Sequence, residues 1–198
     1  MNKFISSSIA AIALVASATV ADANVLVYTA SLSGPNESPA NASPGTGFGT
    51  ITIDDILNTM RVQFSFSGLT GTTSAAHIHA ATAVAGTGTA GVATQTPFFA
   101  GFPTGVTAGT MDTTFDMTLA SSFNASYITA NGGTPLSAFA ALEAAANGGK
   151  AYLNIHTSTF GGGEIRGFLT PVAVPEPASV VLLGLGGSAL GMARHRRK

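Results

Sequence analysis

The amino-acid sequence predicts an all-β domain, an antiparallel sandwich or barrel with one short helix, and three observations lead there. The composition is rich in Gly, Thr, Ser and Ala with scattered Phe and Val, which suits strands and turns better than helices. Residues 60–67, MRVQFSFS, are apolar at every even position and polar at every odd one, the period-two mark of a strand with one buried face. Phe115, Met117 and Leu119 repeat the pattern, with Asp116 and Thr118 facing the other way.

Taken along the chain, strands are expected over residues 25–31, 49–53, 60–67, 76–80, 115–119, 151–157 and 164–169. A long loop rich in Gly, Thr and Ala fills residues 81–110 and contains PFFAGFP at 97–103. Large apolar groups seldom stay exposed, so that Phe cluster is expected to plug the core. The helix is expected over 135–147: Thr134 suits the N-cap and Pro135 the first helical position. Leu136, Phe139, Ala140 and Leu142 follow with helical spacing, and Asn147-Gly148-Gly149 supplies the stop.

Both ends read as addresses. Lys3, the apolar run 9–15 and Ala21-Asp22-Ala23 make an export signal over 1–23, with small residues at the cleavage site. At the other end Val174-Pro175-Glu176-Pro177 closes a linker over 172–177. An apolar stretch, 178–193, and a tail with Arg194, Arg196, Arg197 and Lys198 come after it. As a helix that stretch rises about 24 Å, a marginal span of a hydrocarbon core ~30 Å thick. Its basic tail over 194–198 belongs in the cytoplasm by the positive-inside rule. This layout resembles the PEP-CTERM sorting signal. The resemblance implies processing near Pro175 to Pro177 by exosortase, a membrane cysteine transpeptidase. It also implies an inner-membrane precursor and delivery to the cell surface or extracellular matrix of a Gram-negative bacterium.

Residues 24–171 are then one domain with a modest core. Seven acids, Glu37, Asp54, Asp55, Asp112, Asp116, Glu143 and Glu164, outnumber Arg61, Lys150 and Arg166 there, which argues against a nucleic-acid partner. Cysteine is absent, so disulfides, thiol nucleophiles and Cys-based metal sites are excluded. GxSxG and HExxH are absent too, and the chain is not expected to be an enzyme.

The residues that invite chemistry are the histidines. Ala76-His77-Ile78-His79-Ala80 puts Ile78 toward the core and both imidazoles on the other face. By the same alternation Leu153 and Ile155 point inward while Tyr152, Asn154 and His156 point outward. Pairing Ile155 with Ile165 in a hairpin sets Asn154 opposite Arg166 and His156 opposite Glu164. His77, His79, Asn154, His156, Glu164 and Arg166 are therefore the candidate polar cluster.

Three blocks, YTASLSGPNESP, AHIHA and AYLNIHTSTFGGGEIRGFL, resemble the CHRD domain, a module of animal chordin also found in bacterial exported proteins. The resemblance runs over about 26–169 and implies an immunoglobulin-like β fold, with no reaction attached. Two functions remain open. One is a noncatalytic binding or structural module at the surface, meeting exopolysaccharide or surface proteins, its polar face held by hydrogen bonds and needing no cofactor. The other is a Zn or Cu site built from His77, His79 and His156, with Glu164 or water as fourth ligand. Copper-zinc dismutase chemistry does not fit, because three histidines outside the tail are too few ligands for two metals.

Overall fold

A computed structural model describes residues 25–173. The expected export signal, the Val174-Pro175-Glu176-Pro177 motif, the apolar stretch 178–193 and the basic tail lie outside the described residues. No helix among the described residues is long and apolar enough to cross a membrane.

The strands are β1 (Val25–Ser33), β2 (Thr46–Asp54), β3 (Thr59–Ser67), β4 (Thr73–His79), β5 (Gly109–Asp116), β6 (Tyr152–Thr157), β7 (Ile165–Phe168) and β8 (Thr170–Val172). All belong to a single antiparallel sheet in the order β4-β6-β7-β1-β2-β3-β5, with β8 added on β1. The sheet curls into a half-barrel, so the layers of a sandwich are replaced by one sheet folded round its own core. The alternation holds across its strands: Tyr28, Ile51 and Val62 lie in one register row and are fully buried.

Two expectations change. The strand expected over 115–119 is the end of β5, which starts at Gly109; Leu119 instead precedes a single 3-10 turn and is half exposed. Its apolar face is set by Met111 and Phe115, which the intervening threonines hide from a search for strict alternation. A second helix, α1 (Ala125–Ala130), precedes α2 (Pro135–Asn147). Asn124 caps α1 by accepting from the Ser126 N–H. Thr134 and Ser137 form a reciprocal capping box on α2, whose Ala138, Phe139, Leu142, Ala145 and Ala146 are buried.

Residues 80–108 decide what becomes of the polar face. The Phe cluster plugs the core as expected: Phe99 is 1% exposed and packs on Phe115, while Phe102 packs on Phe64 and Phe66. These anchors lay the segment along the free edge of β4, where Phe99 N–H donates to the Ala76 carbonyl and Thr73 N–H to the Val106 carbonyl. Ala93 and Thr94 N–H reach the Ile78 carbonyl in the same way. An edge strand that would otherwise expose unpaired backbone groups is thereby covered.

Replacing Phe99 with Ala should cost about 3–5 kcal/mol of unfolding free energy in urea, the usual penalty for emptying a buried aromatic site. Phe48→Ala, at a side chain 51% exposed, should cost less than about 1 kcal/mol. Equal costs for the two would show that the 97–103 segment is not part of the core.

Candidate functional site

Register places the site. Core pairings Ala76 with Ile155 and Ile155 with Ile165 align β4, β6 and β7, so His77, Asn154 and Arg166 form one cross-strand row. His79, Tyr152 and Phe168 form the next row on the same face. His156 is two residues beyond Asn154 and joins them.

The imidazoles leave the core as expected, yet His77 is only 6% exposed and His79 only 9%, because residues 90–97 lie over them. Each ring is fixed by one backbone carbonyl. His77 Nδ1 lies 3.0 Å from the Pro97 carbonyl oxygen, His79 Nδ1 2.8 Å from that of Ala90, and His156 Nδ1 3.0 Å from that of Gly161. A carbonyl only accepts, so each Nδ1 carries the proton and donates, and each Nε2 is left with its lone pair.

Those three Nε2 atoms are buried and have no hydrogen-bond partner. One ring nitrogen of each histidine lies within 4.8 Å of the other two, and with every Nδ1 engaged that nitrogen is Nε2. Ring centroids are 4.7 Å apart for His77 and His79, 4.8 Å for His77 and His156, and 6.0 Å for His79 and His156. Three nitrogens bound at ~2.0–2.1 Å to one ion stand ~3.5 Å apart, so an ion would draw these rings together by about 1 Å. Burial, with His79 and His156 adding repulsion, pushes the His77 imidazole down to about 3. Burial pushes His79 down to about 4 and lowers His156 as well. The trio is neutral at neutral pH, the protonation state a metal ion requires.

Glu164 is not beside them. Gly163, at φ 128°, turns the chain so that the Glu164 carboxylate enters the end of the half-barrel. Its Oε1 accepts from Ser43 Oγ and Thr70 N–H, and its Oε2 from Thr157 Oγ1 and Gly71 N–H. All four distances lie between 2.5 and 3.1 Å. As a fourth ligand or a partner of His156 it is excluded by this geometry. Burial alone would raise its pKa, but these four donors outweigh that and hold it below the usual carboxylate range.

Asn154 and Arg166 do face the histidines' side of the sheet. Arg166 donates to the carbonyls of Asn36 and Gly88 and lies 3.7 Å from the Glu37 carboxylate. Its guanidinium sits 4.7 Å from the Tyr152 ring centre, and Tyr152 in turn stacks on His79, 4.7 Å away at 7°. Asn154 Oδ1 and Glu37 Oε1 are buried without partners on either side of Gly163. A Cβ there would come within 2.7 Å of both side chains, which restricts the position to glycine. Burial raises the Glu37 carboxyl to about 7 despite the opposing pull of Arg166.

Glu37 and the carbonyls of Ala90, Pro97 and Gly161 escaped sequence reasoning. Glu37 falls within the block YTASLSGPNESP, so the resemblance could have flagged it. The carbonyls carry no side-chain signal at all. The sorting residues Val174 to Pro177, Arg194, Arg196, Arg197 and Lys198 lie outside the described residues.

Comparison with known proteins follows the same lines. Residues 28–169 match the family model of the CHRD domain, and residues 173–198 match that of the PEP-CTERM protein-sorting motif. No curated protein and no solved structure matches the chain.

The Glu164 network gives a signed pH effect. A carboxyl lowered by folding contributes stability that is complete above its unfolded value of about 4.3 and is lost as pH falls through the folded value. Glu164→Gln keeps one acceptor oxygen but turns an NH₂ toward two donors, and should cost about 2–3 kcal/mol at neutral pH in urea unfolding. Its penalty should shrink in acid, below about pH 4, as the wild-type carboxylate itself becomes protonated. A pH-independent penalty would mean that the carboxylate charge is not what the network holds.

Proposed function

The chain belongs to the CHRD domain family, and from that premise we propose that its domain is a noncatalytic binding module that holds one transition-metal ion, Zn or Cu, on His77, His79 and His156. The C-terminal PEP-CTERM motif implies an exported, membrane-anchored precursor processed by exosortase and delivered to the cell surface. The ion is therefore held outside the cytoplasm.

One observation carries the metal: three buried Nε2 lone pairs converge, and none has a donor. A buried acceptor left unpaired costs about 1–3 kcal/mol, so three in one place is an arrangement that needs an occupant. A water molecule there has two hydrogens to give and would leave one lone pair unmet. A metal ion meets all three at once. The three carbonyls complete the reading, because a ligating imidazole characteristically donates its other N–H to such a partner, which fixes ring and tautomer.

Nothing in the geometry points to turnover. Among the described residues the nearest carboxylates are tied to Arg166 or to the Glu164 network, and no nucleophile stands against a free base. The binding reading covers metal capture or metal-dependent stiffening of the polar face equally well.

The test is elemental analysis of the full-length chain, purified in detergent without a His tag and dialysed against trace Zn²⁺ and Cu²⁺ in chloride buffer, with a parallel anaerobic arm dialysed against Cu⁺. About one ion per chain is expected, with an unfolding free energy raised by about 2.7 kcal/mol when free metal is a hundredfold above Kd. In His77→Ala/His156→Ala both effects should vanish, although His195 remains. Metal-free wild type, or metal retained by the double variant, would return the histidines to a purely structural role.

A further inference from the structure

The chain supplies this site with three ligands and no charge. Among the described residues only His77, His79 and His156 come together as potential metal ligands; no Asp or Glu joins them, and cysteine is absent from the whole sequence. Among the described acids, Glu164 is held by four hydrogen bonds away from the histidines, Asp112 is paired with Arg61 on the exposed side of β3 and β5, and Asp54 and Asp116 cap turns. The nearest full charge is a cation: Arg166 lies over Tyr152, which stacks on His79, so a guanidinium, an aromatic ring and an imidazole form one layered column. Glu37 stands 3.7 Å from Arg166, and because burial raises that carboxyl to about 7 it offsets the guanidinium only in part.

Charge then discriminates between ions. The cost of taking an ion out of water rises with the square of its charge, about fourfold from a monovalent to a divalent ion, and repulsion from Arg166 doubles. Zn²⁺ also asks for a fourth ligand, which none of the described residues provides. Imidazole suits copper as well as zinc, and a monovalent ion leaves the smaller charge buried.

Given the metal site proposed above, on which this step rests, we infer that the three-histidine site is selective for monovalent copper, and that it accepts a divalent ion only together with an anion as fourth ligand. Arg166 acts as the positioning charge: it disfavours a second positive charge behind Tyr152 and favours the anion that must accompany one. The anion is of the small monodentate class, halide or azide, or hydroxide once pH rises above about 7, where metal-bound water ionises, so the affinities are compared at about pH 6. Cu⁺ binding involves no redox step; it is the ion as delivered in that oxidation state.

The experiment compares affinities for Cu⁺ and Zn²⁺ in the full-length chain. Cu⁺ is measured anaerobically against a Cu⁺-selective chelator, Zn²⁺ against a chromophoric one, in perchlorate and then with added azide. In perchlorate Cu⁺ should bind at least about a hundredfold tighter than Zn²⁺. Azide should tighten Zn²⁺ by about tenfold or more and leave Cu⁺ unchanged. Arg166→Gln should tighten both ions, and because the Coulomb energy doubles with charge, the factor for Zn²⁺ should be about the square of that for Cu⁺. Arg166→Lys, which keeps the charge, should leave the ratio of the two affinities near its wild-type value. Zn²⁺ bound as tightly as Cu⁺, or bound with no response to azide, overturns the selectivity while leaving the metal site standing. If neither ion binds, the metal site itself fails. Should Arg166→Gln not fold, the azide response of the wild type decides alone.

Discussion

Three backbone carbonyls, those of Ala90, Pro97 and Gly161, determine the chemistry of this protein's polar face. By accepting from Nδ1 they set the tautomer of His77, His79 and His156, and so leave every Nε2 unprotonated and aimed inward. Two of the three come from a segment with no regular structure, which is held in place by the core. Phe99 and Phe102 sit among Phe64, Phe66 and Phe115, and the chain between them and β4 has little freedom left. Apolar burial at one side of β4 is thus translated into hydrogen-bond geometry at the other. The same packing explains why the imidazoles are neutral: the segment that orients them also removes their water.

The two ends of the β6–β7 hairpin divide the polar residues into separate jobs. At the tip, Gly161 supplies the carbonyl for His156, while Gly163 turns Glu164 away into four hydrogen bonds with Ser43, Thr70, Gly71 and Thr157. Those bonds tie the β6–β7 hairpin to the segments before β2 and before β4, which are remote in sequence. A carboxylate that is fully satisfied structurally is unavailable as a ligand, and the site stays uncharged for that reason. Farther along β7, Arg166 stands behind Tyr152 and holds the loops of Asn36 and Gly88. The glycines at 161–163 are therefore a switch in side-chain direction as well as a turn.

Much of the sheet was legible because alternation is a local signal. Residues 60–67 are β3, and the pairings of Ile155 with Ile165 and Asn154 with Arg166 follow from keeping apolar residues on one face. What failed has a physical cause in each case. The start of β5 was hidden because Thr110, Thr113 and Thr114 blur its alternation. Glu164 departs from the expected place opposite His156 because β7 begins only at Ile165, and the residue before it follows Gly163, whose φ of 128° takes the chain out of the strand. The histidines were read as outward-facing, which is true of their strands, but exposure depends on a loop whose path is set by long-range Phe packing. That three rings meet was unreadable for the same kind of reason, since no sequence rule makes β4 the neighbour of β6.

The placement of the site in the sheet bears on what it can be for. His77, His79 and His156 are not at the mouth of a cleft; they lie between a sheet face and a strap of loop, with Nε2 atoms out of contact with solvent. An ion there would be shielded from solvent and held by imidazoles that are neutral at neutral pH, because burial has lowered their proton affinity. Retention is a natural property of a centre whose three ligand atoms are buried. A retained ion would also clamp the strap to β4 and β6, doing from the polar side what Phe99 and Phe102 do from the core. In a chain without cysteine such a clamp would be a cross-link that no disulfide can supply.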